Sequence, residues 1–195
     1  MIRLCDIVFS LLGLILLLPV FMIVAIWIVL DDPGPVFYRQ QRVGKDGRDF
    51  SLLKFRSMRM DADKQSLITI GERDPRVTRA GYYIRRYKLD ELPQLWNVLV
   101  GDMSLVGPRP EVRRYVNTYT PEQRCVLSVR PGITDYASIE YIDENAILAS
   151  AEDPDKTYIE QIIPAKIALN MRYINHRTLG EYFKIILLTF VNIIR

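Results

Sequence analysis

The feature that most limits how this chain can fold is an apolar run near its N-terminus. From Ile7 to Leu30 the sequence contains no charged residue. A helix of that length exceeds the roughly 20 residues needed to cross a hydrocarbon core. Pro19 stands in the middle of the run, where it lacks an N–H and clashes with the carbonyl of Ile15. Each half alone is too short to span about 30 Å of hydrocarbon.

Two topologies fit this run. A signal peptide is excluded because the run is too long, and because residues 31–35, Asp-Asp-Pro-Gly-Pro, form no small-residue cleavage site. Two membrane topologies remain. One is a single kinked helix that crosses the bilayer, and the other is a broken helix that enters and leaves through the same leaflet. Arg3 and the basic segment after Asp32 favour cytoplasmic placement of both ends, which is the re-entrant arrangement. The residues alone leave both topologies open.

Charge is distributed unevenly along the chain. The 26 Lys and Arg against 23 Asp and Glu give a net charge of +3, which argues against nucleic-acid binding. Residues 39–59 nevertheless carry seven basic side chains and two acidic ones, and should attract anions. Cys5 and Cys125 predict no disulfide framework and suit a cytosolic domain. His176, the single histidine, predicts no zinc site.

The remaining segments predict a mainly α fold with a small β-hairpin. Residues 36–58 form two candidate strands around the turn sequence Lys45-Asp46-Gly47. Residues 77–89 are predicted to form a helix, although their helix propensity is low. The C-terminal residues 181–195 suit an interfacial amphipathic helix, with an ordinary core helix as the alternative. Its predicted apolar side chains are Ile185, Leu188, Phe190 and Ile194, with Lys184 and Arg195 at the rim.

Two adjacent carboxylates, Asp90 and Glu91, follow a basic run that contains Arg85, Arg86 and Lys88. Pro93 is compatible with the first turn of a helix. The apolar side chains around it are predicted to form one core stripe, which comprises Leu92, Leu95, Trp96 and Leu99. Asp90 could then be the N-cap of this helix or a nucleophile, and the pattern alone does not separate the two.

The surroundings of this pair suit phosphate chemistry. A helix N-terminus and neighbouring cations stabilise an ionised carboxylate and also an incoming phosphate. A carboxylate can attack phosphorus to form an acyl phosphate, and a divalent cation shared by Glu91 and the phosphates would reduce their repulsion. Arg109 stands in a rigid Pro-Arg-Pro, and Arg130 opens Arg-Pro-Gly-Ile-Thr. Both arginines are candidate phosphate ligands.

Five motifs occur in order: FYRQQRVG, KFRSM, DPRVTRAG, LDELPQLWNVLVGDMSLVGPRP and RPGIT. Together they resemble the bacterial sugar transferase family, the monotopic phosphoglycosyl transferases. The resemblance implies transfer of a sugar 1-phosphate from a UDP-sugar to undecaprenyl phosphate, with release of UMP and a requirement for Mg²⁺. It implies a membrane helix at residues 1–32 and a cytosolic catalytic domain at 33–195. The length resembles the minimal form of the family, which carries no extra transmembrane helices.

The resemblance also implies roles for individual residues. Asp90 matches the nucleophile of the family's Asp-Glu dyad, so a covalent aspartyl phospho-sugar is expected, with Glu91 and Asp90 as candidate metal ligands. Pro19 matches the residue that breaks the re-entrant helix. The predicted substrate-binding residues are Arg85, Arg109, Lys54, Arg56 and Arg130. The expected location is the cytoplasmic face of the bacterial inner membrane, in contact with phospholipid, and a second copy of the chain is kept as a candidate partner.

The chain departs from the family pattern in two places. After RPGIT the family continues with Gly and a Leu-Ala-Gln or Trp-Ala-Gln run, whereas residues 135–138 are Asp-Tyr-Ala-Ser. This stretch is expected to shape the sugar pocket, so the identity of the donor sugar stays open.

Near the C-terminus, Tyr182 stands where the family carries an aspartate before a Lys-Ile pair, with Glu181 beside it. The alternative function is a catalytically silent, membrane-anchored anion-binding scaffold of a polysaccharide complex.

Overall fold

The computed structural model describes residues 1–60, 74–140, 147–148 and 150–194. It begins with two helices, α1 (Ile2–Leu16) and α2 (Leu18–Asp31), which are bent by 59° relative to each other. Pro19 lies in the first turn of α2, where its missing N–H leaves no helical bond unmade. The predicted break in the apolar run is therefore confirmed. In the described segments no single helix meets the length and hydropathy of a membrane span, while this bent pair meets them together.

The predicted hairpin is confirmed. Strands β1 (Phe37–Val43) and β2 (Asp49–Phe55) pair antiparallel, with Phe37 opposite Phe55 and Val43 opposite Asp49. A tight turn at Lys45–Gly47 joins them, with Asp46 and Gly47 in the left-handed region. Aspartate and glycine are residues that adopt this conformation at low cost.

The rest of the described chain is mostly helical. The helices are α3 (Arg79–Arg86), α4 (Gln94–Val100), α5 (Arg113–Val116), α6 (Tyr136–Glu140), α7 (Pro154–Thr157), α8 (Ile163–Asn175) and α9 (Leu179–Ile194). Short 3₁₀ helices occur at Leu89–Glu91, a single turn, and at Gln123–Ser128, and a π-helical turn occurs at Tyr158–Ile162. Two short strands, β3 (Ser104–Val106) and β4 (Gly132–Thr134), pair in parallel.

The β3–β4 pair brings two of the predicted motifs together. Gly107, after β3, crosses Gly132 so closely that a Cβ on Gly132 would lie 2.1 Å from the Gly107 nitrogen. Only glycine permits two backbones to approach in this way. The Pro-Arg-Pro loop that carries Arg109 is therefore held directly against the Arg-Pro-Gly segment.

Both ends of the α1–α2 hairpin are bound to the domain that follows it. In α1, the Asp6 carboxylate accepts hydrogen bonds from Ser104 Oγ, Leu105 N and Tyr182 Oη at 2.9 to 3.0 Å. Asp6 is 1% exposed, so these bonds replace its lost hydration. Arg3 donates to the carbonyls of Val98 and Leu99 at the end of α4.

The far end of α2 is held on the other side of the same domain. Asp31 accepts a hydrogen bond from the Ala80 backbone N–H at 2.8 Å, in the first turn of α3. Asp32 forms an ion pair at 3.1 Å with Arg56, the residue directly after β2. The helix pair thus leaves the domain at α1 and returns to it at the end of α2.

The predicted core stripe of α4 is wrong in part. Trp96 is 52% exposed, and the buried face carries Gln94, Asn97 and Val98. Asn97 accepts from Leu53 N at 2.9 Å and donates to Ser51 O at 2.8 Å, so this polar residue is buried to pair the free edge of β2. The unpaired backbone N–H and C=O groups of β2 need hydrogen-bond partners, and this need decides which face of α4 is buried. The spacing of apolar residues in α4 does not contain that information.

The C-terminal helix α9 has two apolar faces. Tyr182 and Ile185 are fully buried, so the predicted placement of Ile185 on an interfacial stripe is wrong. The predicted stripe residues Leu188 and Phe190 do lie on an exposed apolar face, together with Phe183, Leu187 and Val191. The predicted rim residue Arg195 lies outside the described residues. A similar exposed apolar surface covers α1 and α2, including Leu16, Leu18, Ile23, Ile26 and Leu30. Surfaces of this extent indicate contact with another apolar phase or partner.

Candidate active site

The Asp-Glu pair lies in a tight turn between α3 and α4. Lys88 adopts the left-handed conformation, which ends the α3 segment and starts the turn Leu89–Glu91. Because α4 begins only at Gln94, after Pro93, Asp90 is not its N-cap. The capping alternative is therefore wrong, and the carboxylate is left available for another role.

Glu91 is fully engaged by cations. Its Oε1 lies 2.5 Å from one Arg109 terminal nitrogen, and its Oε2 lies 3.3 Å from the other. Lys54 of β2 lies 3.9 Å from Oε1. Burial by itself would raise the pKa of Glu91, but Arg109 and Lys54 outweigh it and hold that pKa at about 2. Glu91 is consequently ionised throughout the physiological range.

Asp90 differs from its neighbour. Its carboxylate has no hydrogen-bond or ion-pair partner in the part of the chain that the structure describes. Burial, followed by repulsion from Glu91, raises the pKa of Asp90 above the usual aspartate range, while Lys54, Arg85 and Lys88 oppose the rise. A part-buried carboxylate with free lone pairs and surrounding cations is suited to attack an electron-poor centre.

Lys54 and Arg42 supply further positive charge from the hairpin. Burial lowers the pKa of Lys54 to about 8, although Glu91 counteracts it. Arg42 donates to the Pro110 carbonyl at 3.0 Å and pairs with Glu111 at 3.7 Å. Arg42 therefore also fixes the loop that presents Arg109. The sequence showed that Arg42 belongs to a basic segment, but it did not show that Arg42 contacts the Pro-Arg-Pro loop.

Asp135 is a residue whose importance only the fold reveals. It is 1% exposed, and it accepts hydrogen bonds from Arg109 N at 3.0 Å and from Ser138 N at 2.6 Å. The carboxylate thus holds the backbone of Arg109 in place. In the sequence the signals were that Asp135 directly follows the Arg-Pro-Gly-Ile-Thr motif and opens the stretch that departs from the family pattern, and neither predicted its contact with Arg109.

Three other predicted residues do not contact the dyad. Arg56 is buried against Asp32, and Arg130 donates to the Gly101 carbonyl at 2.7 Å, behind α4. Glu181 accepts hydrogen bonds from Tyr136 and Lys184. Arg85, by contrast, lies close enough to Asp90 to favour its ionised form. The structure therefore brings together Lys54, Arg85, Asp90, Glu91 and Arg109 and separates Arg56 and Arg130 from them.

Within the described residues, no group of three or more His, Cys, Asp or Glu side chains could hold a metal ion by itself. Mg²⁺ is commonly bound by one or two carboxylates together with substrate phosphates. The adjacent carboxylates of Asp90 and Glu91 fit that pattern, since Asp90 has unused acceptor capacity.

Comparison with known proteins decides the family. The model of the bacterial sugar transferase family matches residues 1–195. The chain belongs to this family. A sugar transferase of Bacillus subtilis, assigned as an undecaprenyl-phosphate N-acetylgalactosaminyl 1-phosphate transferase, is 54% identical over 109 residues, covering 56% of this chain and 61% of the relative.

Two further members of the bacterial sugar transferase family match over more of the chain. The UDP-N-acetylgalactosamine-undecaprenyl-phosphate N-acetylgalactosaminephosphotransferase of Aeromonas hydrophila is 40% identical over 80% of this chain and 36% of its own length. The UDP-glucose:undecaprenyl-phosphate glucose-1-phosphate transferase of Xanthomonas campestris is 35% identical over 97% of this chain and 38% of its own length. The chain thus spans roughly one third to two thirds of these relatives.

Proposed function

We propose that this chain transfers a sugar 1-phosphate from a UDP-sugar to undecaprenyl phosphate and releases UMP, as the first membrane step of a bacterial surface glycan. The observation that carries the proposal is the contrast within the dyad: Glu91 is held by Arg109, while Asp90 has free acceptor atoms among cations. The names of the relatives support the same reaction class. The silent scaffold is disfavoured because anion binding alone does not require a free carboxylate.

The chemistry proceeds in two displacements at one phosphorus atom. An Asp90 carboxylate oxygen attacks the phosphorus that bears the sugar, the bridging P–O bond breaks, and UMP leaves with the bonding electrons. The product is an aspartyl phospho-sugar. A phosphate oxygen of undecaprenyl phosphate then attacks the same phosphorus and regenerates the Asp90 carboxylate. Arg85, Lys54 and Arg109 offset the negative charge that otherwise opposes the approach of each anion.

We assign Mg²⁺ to the two carboxylates of the dyad together with the donor phosphates. When bound there, the ion supplies charge neutralisation on the phosphate oxygens. Arg109 continues to orient Glu91, because each carboxylate oxygen has two lone pairs and can accept a second partner.

We infer that the α1–α2 pair is a re-entrant membrane hairpin and that residues 33–195 lie at the cytoplasmic face. The support is that Asp6 and Asp31, at opposite ends of the hairpin, both bind the same domain. A straight span would separate these two ends by the thickness of the bilayer. The exposed apolar face of α9 extends the surface available to phospholipid.

The proposed function is tested by incubating the purified protein with Mg²⁺ and a panel of UDP-sugars, with and without undecaprenyl phosphate. With a suitable donor alone, we expect no more than one equivalent of UMP per enzyme and a mass increase of one phospho-sugar. Addition of the acceptor should allow continuous turnover. Release that always requires the acceptor, with no adduct trapped, would indicate a ternary complex, and no release from any donor would favour the scaffold.

The charge on Lys54 predicts an alkaline limit to activity. Lys54 is protonated below its pKa of about 8 and loses its charge as the pH rises through that value, so kcat/KM should fall there. Lys54→Arg keeps the charge at all accessible pH values and should move the decline to higher pH. Lys45→Arg, at an exposed position in the turn of the same hairpin, is the control and should leave the profile unchanged. A decline that is unaltered in Lys54→Arg would assign it to another group.

The metal assignment predicts a change in the Mg²⁺ requirement. Glu91→Gln removes one negative charge from the dyad, so half-maximal activity should need several-fold more Mg²⁺, and the maximal rate should also fall. Asp46→Asn, an exposed carboxylate in the hairpin turn, provides the matched control. A Mg²⁺ titration curve that does not move in a folded Glu91→Gln protein would place the ion elsewhere.

A further inference from the structure

A cleft lies beside the Pro-Arg-Pro loop and shares Arg109 with the dyad. Its walls combine apolar side chains, such as Val43, Tyr119 and Ile167, with a set of polar ones. The polar side chains are Arg109, Glu111, Asp135, Ser138, Lys166 and Asn170. Ligand sites typically show this combination of an apolar wall and a few convergent polar groups.

Asn170 is a polar residue of this cleft whose bonding is incomplete among the described residues. It lies on α8, far from the dyad in sequence, and is 5% exposed. Its Oδ1 is buried and has no hydrogen-bond partner among the described residues. Buried polar atoms are nearly always satisfied, because an unmade hydrogen bond is costly. Because Asn170 also lines the cleft, a ligand bound there is the candidate donor to this acceptor.

The chemistry of this acceptor restricts which part of the substrates it can meet. Ionised phosphates and the polyprenyl chain have no donor to offer, which leaves the sugar ring and the uridine with its ribose hydroxyls and uracil N3–H. A sugar ring carries hydroxyl or acylamino donors around its whole edge together with acceptor oxygens. The cleft matches such a ring, since it presents acceptors at Asn170 and Glu111 and donors at Ser138 and Lys166.

The location of the cleft agrees with a role in donor selection. Asp135 and Ser138, from the stretch where the chain departs from the family pattern, line the same cleft. Relatives at comparable identity are named for N-acetylgalactosamine and for glucose, so membership of the family alone does not set the sugar. Residues outside the motifs that identify the family are therefore candidates for making the distinction.

We propose that this cleft holds the sugar ring of the UDP-sugar and that Asn170 Oδ1 accepts a hydrogen bond from that ring, so that Asn170 is a determinant of donor specificity. The inference rests on the proposed function. Removing an acceptor that was paired with a ligand donor weakens that ligand selectively, whereas donors that lack the group are little affected.

The test compares Asn170→Leu, which keeps the number and branching of the side-chain heavy atoms and removes the acceptor, with Asn170→Asp, which keeps an acceptor oxygen. The panel contains UDP-glucose, UDP-galactose and their two N-acetylamino counterparts, and the measurement is kcat/KM for UMP release. We expect Asn170→Leu to lower kcat/KM for the preferred donor about tenfold or more while the poorest donor changes less than threefold. Asn170→Asp should largely keep the wild-type ranking. Inhibition by UMP should be unchanged in both variants.

A matched control is available on the same helix. Tyr173→Phe removes another buried polar atom of α8, one that does not line the cleft, and should leave donor ranking unchanged. If Asn170→Leu fails to fold by thermal melting, Asn170→Ala replaces it with the same expectation.

Three results would overturn the inference, and they are distinguishable. An unchanged ratio of kcat/KM between the preferred and the poorest donor in folded Asn170→Leu or Asn170→Ala, with an active wild type, removes Asn170 from sugar recognition. Loss of UMP inhibition in the variant assigns the cleft to the nucleotide. A wild type that releases UMP from no donor refutes the proposed function itself and with it this inference.

Discussion

Asp90→Asn is expected to abolish UMP release and leave the fold intact. Loss of a covalent nucleophile typically costs about four or more orders of magnitude in kcat. Asparagine has the same shape, but its amide is a poor nucleophile and cannot form the acyl phosphate. Because the Asp90 carboxylate binds no described residue and is repelled by Glu91, its neutralisation should not lower the melting temperature.

The experiment separates a catalytic role from a structural one. Wild-type protein incubated with a UDP-sugar should gain the mass of one phospho-sugar, and Asp90→Asn should show no gain. Asp46→Asn, which alters an exposed carboxylate in the hairpin turn, should behave as wild type. Substantial UMP release by folded Asp90→Asn would show that the attacking group is another residue or the acceptor itself.

The second large effect concerns the direction of the N-terminus. We expect the native N-terminus to stay in the cytoplasm, because both ends of the hairpin are bound to the same domain. Asp6 binds β3 and Arg3 binds α4, while Asp31 binds α3 and Asp32 binds the residue directly after β2. Pro19→Leu alone should keep much of this arrangement, since the contacts at both ends persist. Combining it with Asp6→Leu removes both the break and a buried charged contact, and should favour one continuous helix that spans the bilayer.

The position of the N-terminus is measured with a single cysteine in a short N-terminal tag, in a Cys5→Ser, Cys125→Ser background. Intact cells are treated with a thiol reagent that does not cross the membrane. The native protein should be protected and the double variant labelled. Met22→Leu, an exposed apolar exchange in α2, is the control and should remain protected. Labelling of the native N-terminus from outside would establish a straight span.

The local elements of this fold were predictable because their signals are local. Pro19 lies in the first turn of α2, and Lys45–Gly47 forms the hairpin turn, since a missing N–H and a left-handed turn act within a few residues. The exposure of Trp96 was not predictable in the same way. Asn97 is buried because it pairs the free backbone of β2, and that strand is distant in sequence.

The candidate site shows the same division. The sequence by itself determined the acidic pair, the Pro-Arg-Pro loop and the broken apolar run, because each depends on neighbouring residues. Only the tertiary structure decided that Arg109 holds Glu91 and leaves Asp90 free, that Asp135 fixes Arg109, and that Asp6 binds α1 to β3. These contacts join residues between 18 and 99 positions apart, and packing of the whole domain selects among the many pairings that charge alone would permit.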